Sequence, residues 1–181
     1  LFEFFTVIDL PLELDLSFHS APANSLKSFK DPLIHLLLTK VEPWQEILLN
    51  WLCIIRNDST LICPEVVRSS SCISMGLQFT DDRTITKLNS IWRNKEEHTD
   101  VLSFPIIDNS TPLQLDNSVE LGDIVVSVTT AKRQALEMNH GLEIELRWLV
   151  SHGLLHLLGW DHPDQPSLNK MLSFQKDLIQ G

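Results

Sequence analysis

The chain predicts an α+β fold: a small four-stranded mixed sheet, a single layer deep, packed with about five helices. Two stretches alternate apolar and polar residues with a period of two, Leu12 to Phe18 and Ile73 to Phe79. Two short apolar runs, Val101 to Ile107 and Ile124 to Val128, have the composition of buried strands. Between and after them, longer segments repeat apolar residues at helical spacing.

Taken in order, Leu12, Leu14, Leu16 and Phe18 alternate with Glu13, Asp15 and Ser17, a half-buried strand. Ser20 to Glu42 reads as loop, with a short helix around Leu33 to Leu38. Pro43 suits the first turn of a helix that turns Trp44, Ile47, Leu48, Trp51, Leu52 and Ile55 inward. Asn57 to Ser70 reads as loop. After the second strand, Asp81 or Asp82 caps a helix with Ile85, Leu88, Ile91 and Trp92 inward. Asn109 to Ser118 is polar and turn-rich, and Gly122-Asp123 reads as a turn at the entrance of the last strand. Thr129 or Thr130 then caps a helix ending near Asn139. Another helix runs from about Leu142 to Leu158 and is closed by Gly159. A last one spans about Gln165 to Ile179. All 181 residues form one domain in this reading, residues 1–72 being less distinctive than 73–179.

Composition narrows the class. A chain of this length can bury one proper core, and 43% hydrophobic with 21% charged residues is ordinary for a soluble protein. No membrane span or secretory signal is visible: the apolar run Trp44 to Ile55 is short and holds Gln45, Glu46 and Asn50. The first residue is Leu, which leaves open a fragment or a non-standard start. Cys53, Cys63 and Cys72 form no paired motif, so reduced thiols in a cytoplasmic protein are expected. A net charge of −10 argues against wrapping nucleic acid by bulk electrostatics, though not against gripping a few phosphates locally.

The chemistry concentrates in Ser151 to His162. His152 and His156 are four residues apart on a predicted helix, so both imidazoles leave one face and reach one ion. Gly159 permits a chain reversal, and His162 swings back as the third ligand. Three imidazoles leave a coordination position open, the mark of a catalytic zinc site. Nickel, copper and iron also accept imidazole. The spacing His-x-x-x-His-x-x-Gly-x-x-His is that of a metzincin-like metal helix, but those peptidases need glutamate after the first histidine. Gly153 stands there, which disfavours peptidase chemistry. His19, His35, His98 and His140 lack such a context.

The segment His152 to His162 resembles the motif His-Gly-x-Leu-His-Leu-x-Gly-Tyr/Phe-Asp-His of the YbeY-type endoribonucleases, ribosomal RNA maturation factors. Two further blocks resemble that family, in its order. One is Leu88-Asn89-Ser90-Ile91-Trp92-Arg93-Asn94-Lys95 with Thr99-Asp100-Val101-Leu102-Ser103-Phe104-Pro105; the other is Leu121 to Ser127. The likeness covers about Ile73 to Ile179, and Asn57 to Ser71 looks like an insertion. Trp92 replaces a tyrosine, His98 a usual proline, and Trp160 fills the aromatic place. The C-terminal half resembles cyanobacterial or plastid-type members, so a plastid stroma is the alternative to the cytoplasm.

The resemblance implies one zinc on three histidines and hydrolysis of single-stranded rRNA. It also implies processing of the small-subunit 16S rRNA 3′ end, ribosome quality control, and contact with the small subunit, an assembly GTPase or a ribosomal protein. By matching position, Arg93 is the arginine of the active-site cleft, where a guanidinium can hold a phosphate bidentately. Asp161 orients an imidazole, takes the proton of the attacking water, or caps the turn. Lys95 is a candidate for phosphate contact, although Glu96 and Glu97 adjoin it. Lys87, Lys132, Arg133 and Arg147 are expected either to join Arg93 and Lys95 near the cleft or to leave RNA delivery to ribosomal partners. Two other readings compete: a ribosome-assembly binding factor with a structural metal, and a zinc peptidase.

Overall fold

The computed structural model describes residues 11–108, 111 and 117–180. The four strands are β1 (Glu13–His19), β2 (Cys72–Thr80), β3 (Val101–Pro105) and β4 (Ser118–Ser127), in the order β1-β2-β4-β3. β1 and β4 both pair parallel to β2, while β3 runs antiparallel to β4 along one edge. Eight helices accompany them among the described residues: α1 (Ala23–Leu26), α2 (Pro32–Thr39), α3 (Glu42–Asn57), α4 (Glu65–Ser69), α5 (Asp82–Arg93), α6 (Val128–Glu137), α7 (Leu142–Leu157) and α8 (Gln165–Gln180). The mixed four-stranded sheet is as expected. The helices exceed five because the short helix expected around Leu33 to Leu38 forms as α2 and short turns form at α1 and α4.

One residue decides which side chains of β4 face which layer. Between Ser74↔Glu120 and Gly76↔Asp123, β2 advances two residues and β4 three, so β4 carries a bulge. Val119 and Leu121 face the main core before it, and Ile124 and Val126 after it. Without the extra residue the strand's alternation would turn Ile124 and Val126 to the opposite face. Gly122 lies in the bulge with φ +115°, and a Cβ there would stand 2.0 Å from the Phe104 carbonyl oxygen. Gly122 is therefore inside a strand that starts at Ser118, not in a turn at its entrance.

The main core joins β1, β2 and β4 to α2, α3, α7 and α8, with Trp44, Leu48, Leu52 and Leu154 fully buried. The other sheet face meets α5 through a small cluster of Ile85, Leu102 and Val125. Asp81 caps α5 by accepting from Thr84 N–H at 2.8 Å. Asp82 anchors the same end: its carboxylate accepts from Ser127 Oγ at 2.5 Å and Thr130 Oγ1 at 2.7 Å. Ser127 caps α6, in place of the expected Thr129 or Thr130. At the far end of α5, Asn94 takes the left-handed conformation and buried Asn89 donates to Glu97 carbonyl. Ile91 and Trp92, expected inward, are exposed because the helix runs past the small cluster it covers.

The stretch expected as loop before β2 holds α4 and is fastened by two arginines. Arg56 donates to the carbonyls of Arg68 and Ser70, and Arg68 donates to those of Arg56, Asp58 and Leu61. Guanidinium forks satisfy backbone carbonyls that neither helix nor sheet reaches.

Gly122→Ala should cost roughly 2–4 kcal/mol through forced φ and the clash at Phe104. Thermal denaturation should show a fall of roughly 5–15 °C in Tm. Gly141→Ala, where a Cβ meets nothing within 4 Å, should change stability by under ~1 kcal/mol. Equal melting temperatures for the two variants would contradict this account of the bulge.

Candidate metal centre

Helix α7 crosses β4 closely because Gly153 lies between them. A Cβ at Gly153 would come 2.8 Å from Ile124 Cγ2. The position occupied by glutamate in the peptidases therefore points here into the sheet, and a glutamate would not fit. On the neighbouring strip of the helix His152 and His156 point together toward α8 and the β3 edge. The helix ends at Leu157, and Gly159, with φ +88°, reverses the chain. His162 returns, and one nitrogen from each of the three rings lies within 4.8 Å of the others.

Two partly buried hydrogen bonds set the tautomers. Gln175 of α8 is completely buried. Its Nε2 donates to Trp148 carbonyl at 2.7 Å and to Ser151 Oγ at 3.2 Å. A carbonyl only accepts, so the amide orientation is fixed and Oε1 is the atom 3.0 Å from His152 Nδ1. His152 Nδ1 must then carry the proton. His156 Nδ1 likewise donates to Trp160 carbonyl at 2.9 Å. Both Nε2 atoms are left as bare lone pairs, facing each other at 3.1 Å. Two lone pairs at that distance repel unless a cation stands between them. Imidazoles on one tetrahedral zinc place their nitrogens about 3.3 Å apart. The donor set and its spacing thus fit one metal ion.

Burial pushes His156 down to about 4, helped by the nearby imidazole of His152. Burial also lowers His152, against the raising effect of its bond to Gln175. Neutral imidazoles at neutral pH are what a metal ion requires.

Trp160 fixes the turn that carries the third histidine. Its indole N–H donates to Ile62 carbonyl at 2.9 Å, within the segment 57–71 that reads as an insertion. Its ring stacks on Phe174 at 5.4 Å and 10°. Asp161 is exposed, and its Oδ1 accepts from His162 N–H at 2.8 Å, so its visible part is to shape the turn.

A cleft of about 320 Å³ opens over the three histidines, walled by Val101, Trp148, Leu149 and Leu172. Arg93 reaches it from the end of α5, exposed and without a hydrogen bond or ion pair to any described residue. Lys95 is exposed and lines no part of it. Of the other cations expected near the cleft, Lys132 lies over the Phe29 ring, Arg147 pairs with Glu143, Arg133 lies near Asp82 and His98, and Lys87 lines no part of the cleft. Among the described lining residues Arg93 is the only Lys or Arg.

Ser103, expected with Phe104 and Pro105 to shape the cleft wall, lines this cleft; sequence reasoning did not single out Gln175 or Asp100. The Asp100 carboxylate is occupied, accepting from Val101 N–H at 2.8 Å, Thr99 Oγ1 at 3.1 Å and Gln134 Nε2 at 2.9 Å. Gln175 lies 23 residues from His152 in a helix whose sequence reads as amphipathic only. A buried glutamine on that apolar face was the available signal.

In metal-free protein, NMR titration of the imidazole protons should give His156 a midpoint near 4, against 6.5 for an unperturbed ring. The unfolded chain then takes up protons first, so stability holds above about pH 6.5 and falls as the pH drops from there toward 4. A His156 midpoint near 6.5 would show that the ring is not held buried and neutral.

The model of the family described as Endoribonuclease YbeY matches residues 49–181. A Prochlorococcus marinus (strain MIT 9313) protein named Endoribonuclease YbeY is 58% identical over 93% of this chain and 90% of its own length. A protein of the same name from Parasynechococcus marenigrum is 49% identical over 94% and 89%. A solution structure of a Thermotoga maritima protein superposes with a TM-score of 0.54 over 92% of this chain and 87% of that one; at 21% identity it speaks for the fold alone. With the family match covering most of its length and relatives this similar, the chain belongs to the YbeY endoribonuclease family.

Proposed function

We propose that the chain is a single-strand-specific endoribonuclease. In this reading it holds one zinc ion on His152, His156 and His162 and acts on small-subunit rRNA near its 3′ end and in ribosome quality control. The observation that carries the reading is the pair of tautomer-locked Nε2 lone pairs in one cleft with the guanidinium of Arg93, which pairs with no described residue. A cation site next to a free planar cation is suited to a phosphodiester, which carries charge before reaction and gains more during it. Nickel or another divalent transition ion would fit the same donors.

The ion, when bound, supplies Lewis acidity toward water and toward a phosphate oxygen. The rest falls to the chain. Gln175 and the Trp160 carbonyl hold the imidazoles in orientation, so no reorganisation is needed at the moment of reaction. Arg93 binds a non-bridging phosphate oxygen and neutralises charge that develops there. Trp148, Leu149 and Leu172 narrow the water-filled space and strengthen both electrostatic contacts. With Gly153 turned into the sheet and Asp100 engaged in three hydrogen bonds, the proton leaves to solvent through the mouth of the cleft.

The same glycine weighs against a peptidase. The assembly-factor reading is weakened because structural zinc sites are usually closed by a fourth protein ligand. The histidine group contains three donors among the described residues. Among those residues no helix is long and apolar enough to cross a membrane. Action in the cytoplasm, or a plastid stroma, is part of the proposal.

Metal analysis and cleavage of labelled single-stranded rRNA fragments test it. Wild type should hold about one metal per chain and cut. His156→Ala should lose both properties, and Arg93→Ala should keep metal and cut roughly 100-fold more slowly. Full cleavage by Arg93→Ala would remove its role. Metal binding without cleavage by any preparation, ribosomes included, would favour the assembly-factor reading.

A further inference from the structure

A second cleft, of about 760 Å³, lies on the other face of the sheet beneath α5. It meets the metal cleft at Arg93 and Ser103, which line both. We propose that it is a nucleobase subsite, in which a base flanking the scissile phosphate stacks on Trp92; this rests on the endoribonuclease reading above.

The wall comes first. Trp92 is 67% exposed, at the end of a helix whose Ile85 is buried and whose Leu88 packs on the same small cluster. Its ring packs against Phe104, at 5.8 Å and 64°, and both line the cleft. Indole faces stack on any base, and such platforms are how single strands are held without sequence reading. Trp92 is adjacent to Arg93 in the chain, so a strand with a phosphate on Arg93 brings a neighbouring base to Trp92.

The floor decides between base and backbone. The Asp123 carboxylate lies flat over β2, where only a glycine leaves space: a Cβ on Gly76 would be 1.9 Å from Asp123 Oδ1. Asp123 makes no hydrogen bond to any described residue, and the Gln78 amide beside it makes none through its side chain. A carboxylate repels phosphate but accepts from the amino and ring N–H groups of a base edge. The cleft is therefore charged against the sugar–phosphate backbone and equipped for a base, while Arg93 at the junction takes the phosphate.

The test uses the full metal-loaded chain and a labelled oligoribonucleotide that wild type cuts at one place, with versions each lacking a single base. Trp92→Ala should raise KM by roughly 5- to 100-fold with kcat little changed. Removing one particular base near the cut should reproduce that loss on wild type and add nothing further on Trp92→Ala. Ile91→Ala, an exposed apolar neighbour that lines neither cleft, should behave as wild type. Unchanged KM in Trp92→Ala, or base-removal losses that persist undiminished in that variant, would overturn the subsite. A second readout stands apart from cleavage. Binding of the uncut strand to metal-free protein carrying Trp148→Phe, which removes the indole of the metal cleft, should quench tryptophan fluorescence, and adding Trp92→Phe should abolish that quenching. Quenching that survives in the double variant would also overturn the proposal, whether or not the protein proves to be a nuclease.

Discussion

The chemistry of this fold hangs on one buried amide. Gln175 is fully enclosed, and its nitrogen is committed to a carbonyl that can only accept. That leaves its oxygen for His152 Nδ1 and forces the lone pair of the ring outward. The Trp160 carbonyl imposes the same tautomer on His156. Each orienting group is held by another part of the fold: Gln175 by α8 packed on α7, Trp160 by the segment around Ile62 and by Phe174. The donor set thus draws on four separate stretches of chain although its ligands span only eleven residues.

Close approach of helix and sheet is the second constraint. Gly153 lets α7 settle on Ile124, and the bulge at Gly122 is what turns Ile124 toward that helix. The same irregular stretch sets Asp123 over Gly76 on the opposite face. A single extra residue in β4 therefore shapes both the support of the metal centre and the floor of the second cleft. Arg93 and Ser103 connect the two, so a strand of nucleic acid can run past the edge of β3 with phosphate and base on different sides.

Much of this was legible in the residues. The alternation in Leu12 to Phe18 and Ile73 to Phe79 found two strands, and the histidine spacing with Gly159 found the three rings that the structure brings together, because both are local patterns with a fixed period. The bulge was not legible, since Gly122-Asp123 reads equally as a turn, and only pairing with β2 and β3 distinguishes them. Trp92 was read as core because a helical face says which way a side chain points, not whether the sheet beneath extends far enough to cover it. Lys95 was flagged by a shared block, yet the left-handed Asn94 carries the chain away from the cleft. Gln175 escaped notice because its meaning depends on a contact 23 residues distant.

X-ray absorption spectroscopy of the zinc-loaded chain tests the central claim most directly. The account predicts three imidazole nitrogens at about 2.0–2.1 Å and one further light-atom ligand from solvent, with no sulfur. A shell with a fourth protein ligand, with a thiolate at about 2.3 Å, or with fewer than three imidazoles would contradict it.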